Sequence, residues 1–207
     1  MDILLIFFYI YVVNGFQLYS LASVSVGVPR IEDDASESSI GFLQTSDVDS
    51  FGRLLPDAPR STTALSDSQL ERALVQPGDV LLANKGARYV AVFYGDKYPT
   101  VVASGSFYIL RVLDSMTLLP EFLACYLNLR GTQYQLQVRI GNPSTVSTLN
   151  KKDLLDLLVT VPPLDIQRAL VELNNSFLEV YDKTQQQLNL QQALLNQCFS
   201  TTLQTHR

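Results

Sequence analysis

Short apolar runs separated by turn residues dominate the middle of the chain. These runs lie at 80–83, 89–94, 100–103 and 107–112. Runs of this length, bounded by segments rich in Gly, Asp and Ser, predict β-strands, and several in succession are typical of a sheet that curls on itself. A further strand is predicted at 40–45, after an acidic and Ser-rich loop at 32–39.

Helical patterns flank these strands. Ser66 is a good N-cap for a helix that reaches Val75, and Pro120 suits the first position of a helix that ends near Leu129. Further helical turns are predicted at 131–138 and 151–158, followed by a terminal strand at 159–161. The mixture predicts an α+β domain with a curled β-sheet and short helices.

The C-terminal part of the chain predicts one long helix. No Pro or Gly occurs from Leu164 to Leu203, which permits an uninterrupted helix of about 60 Å at a rise of about 1.5 Å per residue. Within it, residues recur at steps of three and four, close to a coiled-coil seam. The seam consists of Leu170, Leu173, Phe177, Tyr181, Thr184, Leu188, Gln191, Leu195 and Phe199.

Such a helix has no obvious place in the core of a small domain, so we expect its apolar residues to form an intermolecular interface. The predicted interface residues are Leu170, Leu173, Phe177, Tyr181, Leu188 and Leu195. The alternative is a helix that folds back on its own domain.

The chain begins with an unbroken apolar run over residues 3–13. A membrane-spanning helix needs about 20 residues, and a signal peptide has a basic start and a small-residue cleavage site, which this segment lacks. The run therefore predicts a buried strand or an atypical start, without stable membrane association. We divide the chain into an apolar segment at 1–17, an α+β domain at 18–161 and a C-terminal helix at 162–207.

Composition excludes several classes of protein. Hydrophobic residues make up 47% and charged residues 17% of the chain, which excludes a wholly disordered protein. Two cysteines and one histidine are too few for a disulfide framework or a zinc site, so a reducing, cytoplasmic setting fits best. Cys125 is interpreted as a buried small hydrophobe and not as a nucleophile.

The charge is unevenly distributed along the chain. The total of −5 argues against a protein coated in basic surface. Residues 1–80 carry 4 basic and 11 acidic side chains, residues 81–159 carry 8 and 5, and residues 160–207 carry 3 and 4. The middle of the chain is therefore the part suited to a polyanion, although an ordinary solvated surface explains the same surplus.

Motifs for catalysis are absent from the sequence. The lone His206 lies next to the C-terminus, and no Gly-rich phosphate-binding loop occurs. An adenine methyltransferase would carry Asn or Asp before Pro-Pro and an aromatic residue, but Asn142-Pro143 is followed by Ser144. These absences favour a binding protein, with no catalytic residue, metal or cofactor predicted.

Five segments, taken in order, carry a resemblance to a known family. They are 76–88 (QPGDVLLANKGAR), 101–107 (VVASGSF), 119–129 (LPEFLACYLNL), 141–149 (GNPSTVSTL) and 161–167 (VPPLDIQ). Over about Leu18 to Leu195, the ordered set resembles the target-recognition domain and adjoining helix of specificity (S) subunits of type I restriction-modification enzymes. Ile166 stands where the family usually has Glu, residues 3–13 lie outside the pattern, and residues 21–27 match it loosely.

The resemblance implies a domain that reads a DNA half-site and a helix that acts as spacer and oligomerisation element. This chain has room for one such domain and one helix, so it resembles a half-subunit. The implied partners are double-stranded DNA, methyltransferase (M) and restriction (R) subunits, and a second recognition domain, supplied by a homodimer or by another chain.

Two loops carry the candidate DNA-binding residues. The first contributes Lys85, Gly86 and Arg88, and the second contributes Arg139, Asn142, Ser144 and Thr145. Cationic side chains bind phosphates, and an Arg can also read a guanine edge. The alternatives are a solvated hairpin for the first loop and, for the second, a cap on the next helix in which Thr148 is the capping residue.

Two hypotheses for the function follow. The first is a non-catalytic, sequence-specific DNA-binding subunit that directs methylation and cleavage by partner subunits. The second is a protein-interaction module, or a degenerate half-subunit that no longer reads DNA. The positive middle of the chain favours the first hypothesis, and the acidic N-terminal third favours the second.

Overall fold

The computed structural model of the chain describes residues 15–29, 40–63, 66–86, 88–138 and 148–205. The chain divides into two compact units, Met1–Arg168 and Ala169–Arg207. The apolar run at 3–13, predicted as a strand or an atypical start, lies outside the described residues. No helix within the described ranges is both long and apolar enough to cross a membrane.

The first unit combines strands and helices, which confirms the α+β class. Its described strands are β1 (Gly15–Gln17), β2 (Ala22–Val26), β3 (Ile40–Leu43), β4 (Thr62–Thr63), β5 (Asp79–Ala83), β6 (Ala91–Tyr94), β7 (Val101–Ala103), β8 (Phe107–Val112) and β9 (Leu158–Thr160). Its helices are α1 (Asp67–Ala73), α2 (Pro120–Asn128), α3 (Arg130–Val138) and α4 (Lys151–Leu155). A final helix, α5 (Leu164–Thr205), begins in this unit and forms the second one.

The strands form three sheets instead of one curled sheet. An antiparallel sheet has the order β2-β8-β5-β6, a second sheet has the order β4-β3-β7, and β1 pairs with β9. The difference arises at β7, which pairs in parallel with β3 and does not form a hairpin with β8. The turn that separates β7 from β8 is closed by the Phe107 amide, which donates to the Ser104 carbonyl at 2.9 Å.

Alternation along the strands builds a layered core. On β7, Val101 and Ala103 pack into a cluster with residues of β5, β6 and β8, whereas Val102 packs on the opposite side with Ala73 of α1. The three-stranded sheet is therefore packed between α1 and the four-stranded sheet. Helix α2 contacts β5 and β6, and its buried residues include Leu123 and Leu127. Each such large apolar side chain contributes about 1.5–3 kcal/mol when fully buried.

Local signals place the helix ends. Ser66 forms the predicted N-cap of α1, in a capping box with Gln69. The helix ends at Ala73 because the Val75 amide donates to the Val101 carbonyl at 3.0 Å and thereby joins β7. The side chain of Asn150 caps α4 and accepts from the Lys152 amide at 2.8 Å, so the alternative that Thr148 is the capping residue is wrong.

Helix α5 is continuous, as the absence of Pro and Gly predicts. In its first turn, the fully buried Gln167 side chain donates to the carbonyls of Thr117 and Pro162 at 2.9 and 2.7 Å. It also accepts from the Leu119 amide at 2.8 Å. The Gln of the VPPLDIQ segment therefore joins the start of α5 to the segment that leads into α2.

Candidate nucleic-acid interface

The first predicted loop connects β5 to β6 in an antiparallel hairpin. The chain leaves the ladder at Ala83, whose amide donates to the Val90 carbonyl at 2.9 Å. Gly86 has a φ of +116°, a conformation that side chains with a Cβ rarely adopt. Lys85 and Arg88 on either side of it are exposed. The hairpin therefore presents both predicted cations to solvent.

Of the second predicted loop, the structure describes only its end. Arg139, Asn142, Ser144 and Thr145 lie outside the described residues. Thr148 forms an antiparallel bridge with Lys85, and the Leu149 amide donates to the Asn84 carbonyl at 2.8 Å. The Tyr108 hydroxyl donates to the Leu149 carbonyl at 2.7 Å. The second loop therefore ends beside the first.

The two cations of the hairpin have different surroundings. The Arg88 guanidinium donates to the carbonyls of Ser50 and Asn128 at 2.9 and 3.2 Å, so it holds neighbouring segments in place. Lys85 makes no ion pair or side-chain hydrogen bond with any residue that the structure describes. Lys85 is thus available to an anionic ligand, whereas two of the five N–H groups of Arg88 are engaged.

Two side-chain amides bind the hairpin along the edge that faces away from β5. The Gln133 amide accepts from the Tyr89 N–H at 2.9 Å and donates to the Tyr89 carbonyl at 2.7 Å. Asn128 does the same for Ala91, at 3.0 and 2.7 Å. Tyr89 and Ala91 are two residues apart, so their backbone groups point to the same side of the strand. The two amides thus take the place of a neighbouring strand at the sheet edge.

The sequence signal for these amides is weak. Gln133 is buried in α3 together with Leu136, three residues later on the same helical face. A polar residue on an apolar helix face indicates a buried hydrogen bond but does not reveal its partner.

A loop at 49–53 packs against the same edge. The Asp49 carboxylate accepts from the Phe51 and Arg53 amides and from Arg53 Nε, at 2.8, 2.9 and 2.7 Å. Gly52 has a φ of +82°, and a Cβ at this position would overlap the Ala91 carbonyl oxygen and lie 2.7 Å from Asn128 Nδ2. Only glycine allows this close approach.

Two buried carboxylates of the acidic N-terminal third are paired with arginines of the same domain. Asp47 and Asp79 are each 1% exposed. They bind Arg60 and Arg111, with Nε–Oδ1 distances of 2.9 and 2.8 Å. Hydrogen bonding to these carboxylates raises the pKa of each arginine. The negative charge of these residues is therefore balanced locally. It reduces the positive potential at the hairpin less than unpaired carboxylates would.

A pocket of about 110 Å³ lies beside the hairpin. Its lining residues are Thr45, Val48, Ala83, Lys85, Arg88, Val90 and Phe107. Ala83 and Phe107 are buried members of the core cluster, and Val48 packs against that cluster. The pocket therefore has an apolar floor, formed by the end of the four-stranded sheet, with both hairpin cations in its wall.

Other chemistry is limited in the described part of the chain. No group of three or more His, Cys, Asp and Glu side chains is placed there to hold a metal ion. Burial raises the pKa of the Cys125 thiol to about 11, so this thiol is protonated at neutral pH.

A side chain at position 52 would collide with its neighbours and should destabilise the fold. Gly52→Ala and Gly78→Ala both place a Cβ at positive φ, and each is expected to lose about 1–2 kcal/mol of stability for that reason. Among the described residues, no atom lies within 4 Å of a Cβ at Gly78. Gly52→Ala should therefore lose about 1–3 kcal/mol more than Gly78→Ala, because of overpacking. Urea unfolding of both variants measures the difference, and equal losses would contradict the packing described for the loop.

The similarity of this chain to known proteins lies in its fold. The sequence matches no protein-family model and no curated protein. A chain from a structure of the type I R-M system that addresses complex assembly and conformational transition is similar, with a TM-score of 0.54 and 19% identity. So is the HsdS subunit from Thermoanaerobacter tengcongensis, with a TM-score of 0.51 and 21% identity. The type I restriction-modification S subunit from M. genitalium has a TM-score of 0.50 and 16% identity.

The matches cover most of this chain but less than half of each solved structure. The matches cover 80%, 80% and 82% of this chain but only 38%, 37% and 39% of the three structures. The fold of this chain is therefore similar to part of the fold of these type I specificity subunits, and the chain spans less than half of their length.

Proposed function

We propose that the chain is a non-catalytic DNA-recognition subunit of a type I restriction-modification system, in the form of a half-subunit. Its α+β domain reads one half-site, and methyltransferase and restriction subunits carry out methylation and cleavage at the site it selects. The observation that carries this proposal is the structural similarity to specificity subunits over 80% of the chain, combined with coverage of only 38% of the structure it matches.

The DNA-binding face is proposed to include Lys85, Gly86 and Arg88, together with Arg139, Asn142, Ser144 and Thr145. Two features support this choice. Lys85 is exposed and lies opposite Thr148, at the end of the second loop, so one ligand can contact both loops. In addition, the carboxylates of Asp47 and Asp79 are engaged by arginines. A cation without a carboxylate partner binds phosphate without first breaking an ion pair.

The proposed oligomer forms through α5. Leu170, Leu173 and Phe177 are 42%, 67% and 57% exposed, and Leu188 and Leu195 continue the same stripe in exposed positions. Burying each large apolar side chain contributes about 1.5–3 kcal/mol. The Thr184 hydroxyl donates to the Val180 carbonyl within the helix, at 2.8 Å, so it needs no partner when the stripe is covered.

An antiparallel pair of such helices places two recognition domains at opposite ends of a spacer. A symmetric pair then reads an inverted-repeat, bipartite site.

The second candidate is a protein-interaction module that does not read DNA. The net charge of −5 and the exposed stripe of α5 favour it. Selection from a random pool of double-stranded DNA separates the two candidates. Enrichment of one short motif, repeated as an inverted pair, is the result expected for a recognition subunit. A pool that stays random after repeated rounds would overturn the proposed function and favour the interaction module.

The two hairpin cations should respond differently to removal. Lys85→Ala should flatten the salt dependence of DNA binding by about one unit of log–log slope, because one phosphate contact is lost, while the urea midpoint stays unchanged. Arg88→Ala should lower the urea midpoint as well, because it frees the carbonyls of Ser50 and Asn128. Lys97→Ala, in the turn after β6, is the matched control. An unchanged salt slope in Lys85→Ala would place the DNA face elsewhere.

Charge placed on the α5 stripe should dissociate the proposed dimer. Sedimentation of the wild type at tens of micromolar is expected to show a dimer, and Leu173→Asp combined with Leu188→Asp should give a monomer with unchanged helix content. Asn175→Asp combined with Gln186→Asp adds the same charge at exposed positions on the opposite face, and should leave the dimer intact. A monomeric wild type, with no second recognition chain present, would contradict the symmetric pair.

A further inference from the structure

The pocket beside the β5–β6 hairpin combines two properties that one ligand must match. Its floor is apolar, with Ala83, Val90 and Phe107 contributed by three adjacent strands or their extensions. Its wall carries Lys85 and Arg88, and the Thr45 side chain completes the lining. The ligand must therefore bring an apolar group and a negative charge close together.

The size and chemistry of the pocket limit that apolar group. A cavity of about 150 Å³ holds a benzene ring, so a pocket of about 110 Å³ is too small for a whole nucleobase with its ring substituents. A phosphate can accept hydrogen bonds from Lys85 and Arg88 in the wall, but at Ala83, Val90 and Phe107 it would lose hydration without gaining a hydrogen bond. A methyl group is small enough to enter the pocket and has no hydrogen bonds to lose at the apolar floor.

The floor is rigid, which allows it to discriminate by shape. Ala83 and Phe107 are 5% and 1% exposed and are paired with each other across β5 and β8. Val48 comes from the turn at 45–48 and packs against the same core cluster. A floor built on the packed end of a sheet does not collapse when it is empty, so the presence or absence of one methyl group changes the contact area directly.

We propose that this pocket receives the 5-methyl group of a thymine in the recognised half-site, while Lys85 binds a neighbouring backbone phosphate. The thymine methyl group is the apolar feature of the major groove, and it belongs to a strand whose phosphates supply the negative charge. The proposal rests on the proposed function, because it assigns one base contact within the DNA face of that domain.

Deoxyuridine substitution tests the proposal, because it removes the methyl group and leaves the base-pairing edge unchanged. Each thymine of the selected duplex is replaced in turn, and the affinity of the full chain is measured. At one position per half-site, we expect the affinity to fall about three- to five-fold, the value of one buried methyl group.

Two substitutions locate that effect in the pocket. Thr45→Phe fills the pocket from an exposed position and should abolish the difference between thymine and uracil. Ser46→Phe, at the adjacent exposed position outside the lining, should retain it. Val90→Thr places a polar hydroxyl group in the floor at nearly the same side-chain volume. It should reduce the difference in affinity between thymine and uracil, so the test does not depend on Thr45→Phe alone.

The outcomes separate this inference from the function on which it rests. Equal affinity for every thymine and uracil duplex, or a difference that survives in Thr45→Phe, would overturn the pocket assignment while DNA recognition stands. A selected motif that contains no thymine would do the same. A pool that shows no motif would overturn both.

Discussion

The backbone groups on the edge of β6 that faces away from β5 need hydrogen-bond partners. The arrangement of the candidate interface depends on the side chains that supply these partners. Asn128 and Gln133 each bind both the N–H and the C=O of one residue on that edge. An unpaired backbone group that is buried costs about 1–3 kcal/mol. The helices α2 and α3 are thereby fixed to the hairpin, and the hairpin holds Lys85 and Arg88 at defined positions.

A side-chain amide also binds backbone groups at the start of α5. Gln167 binds three backbone groups, the Leu119 amide and the carbonyls of Thr117 and Pro162. In all three cases a side-chain amide joins segments that are far apart in the sequence. Amides suit this role because each has donors and an acceptor, so one side chain binds both backbone groups without introducing a charge. The domain uses them where its secondary structures meet.

Electrostatics near the hairpin depend on pairing more than on total charge. The chain carries a net −5, yet Asp47, Asp49 and Asp79 each accept a hydrogen bond from an arginine side chain. These ion pairs shape the loop at 44–61 and the end of the four-stranded sheet. Lys85, next to the pocket, forms no such pair with any residue that the structure describes. A count of charges along the sequence does not reveal this separation.

Most helices and strands of this protein follow from local patterns in the sequence. Short apolar runs bounded by turn residues specified β5 to β8, Ser66 and Pro120 specified two helix starts, and the absence of Pro and Gly specified α5. It also placed Lys85, Gly86 and Arg88 together in a turn. These features are local, because side-chain periodicity and capping involve residues within four positions of one another.

The way in which these helices and strands pack together became visible only in the folded chain. The parallel pairing of β7 with β3 and the engagement of Arg88 by two carbonyls did not follow from the sequence pattern. Neither did the pocket, whose lining comes from four separate segments. Each of these depends on contacts between residues tens of positions apart, and a local pattern states that a side chain is polar or apolar without naming the group it meets.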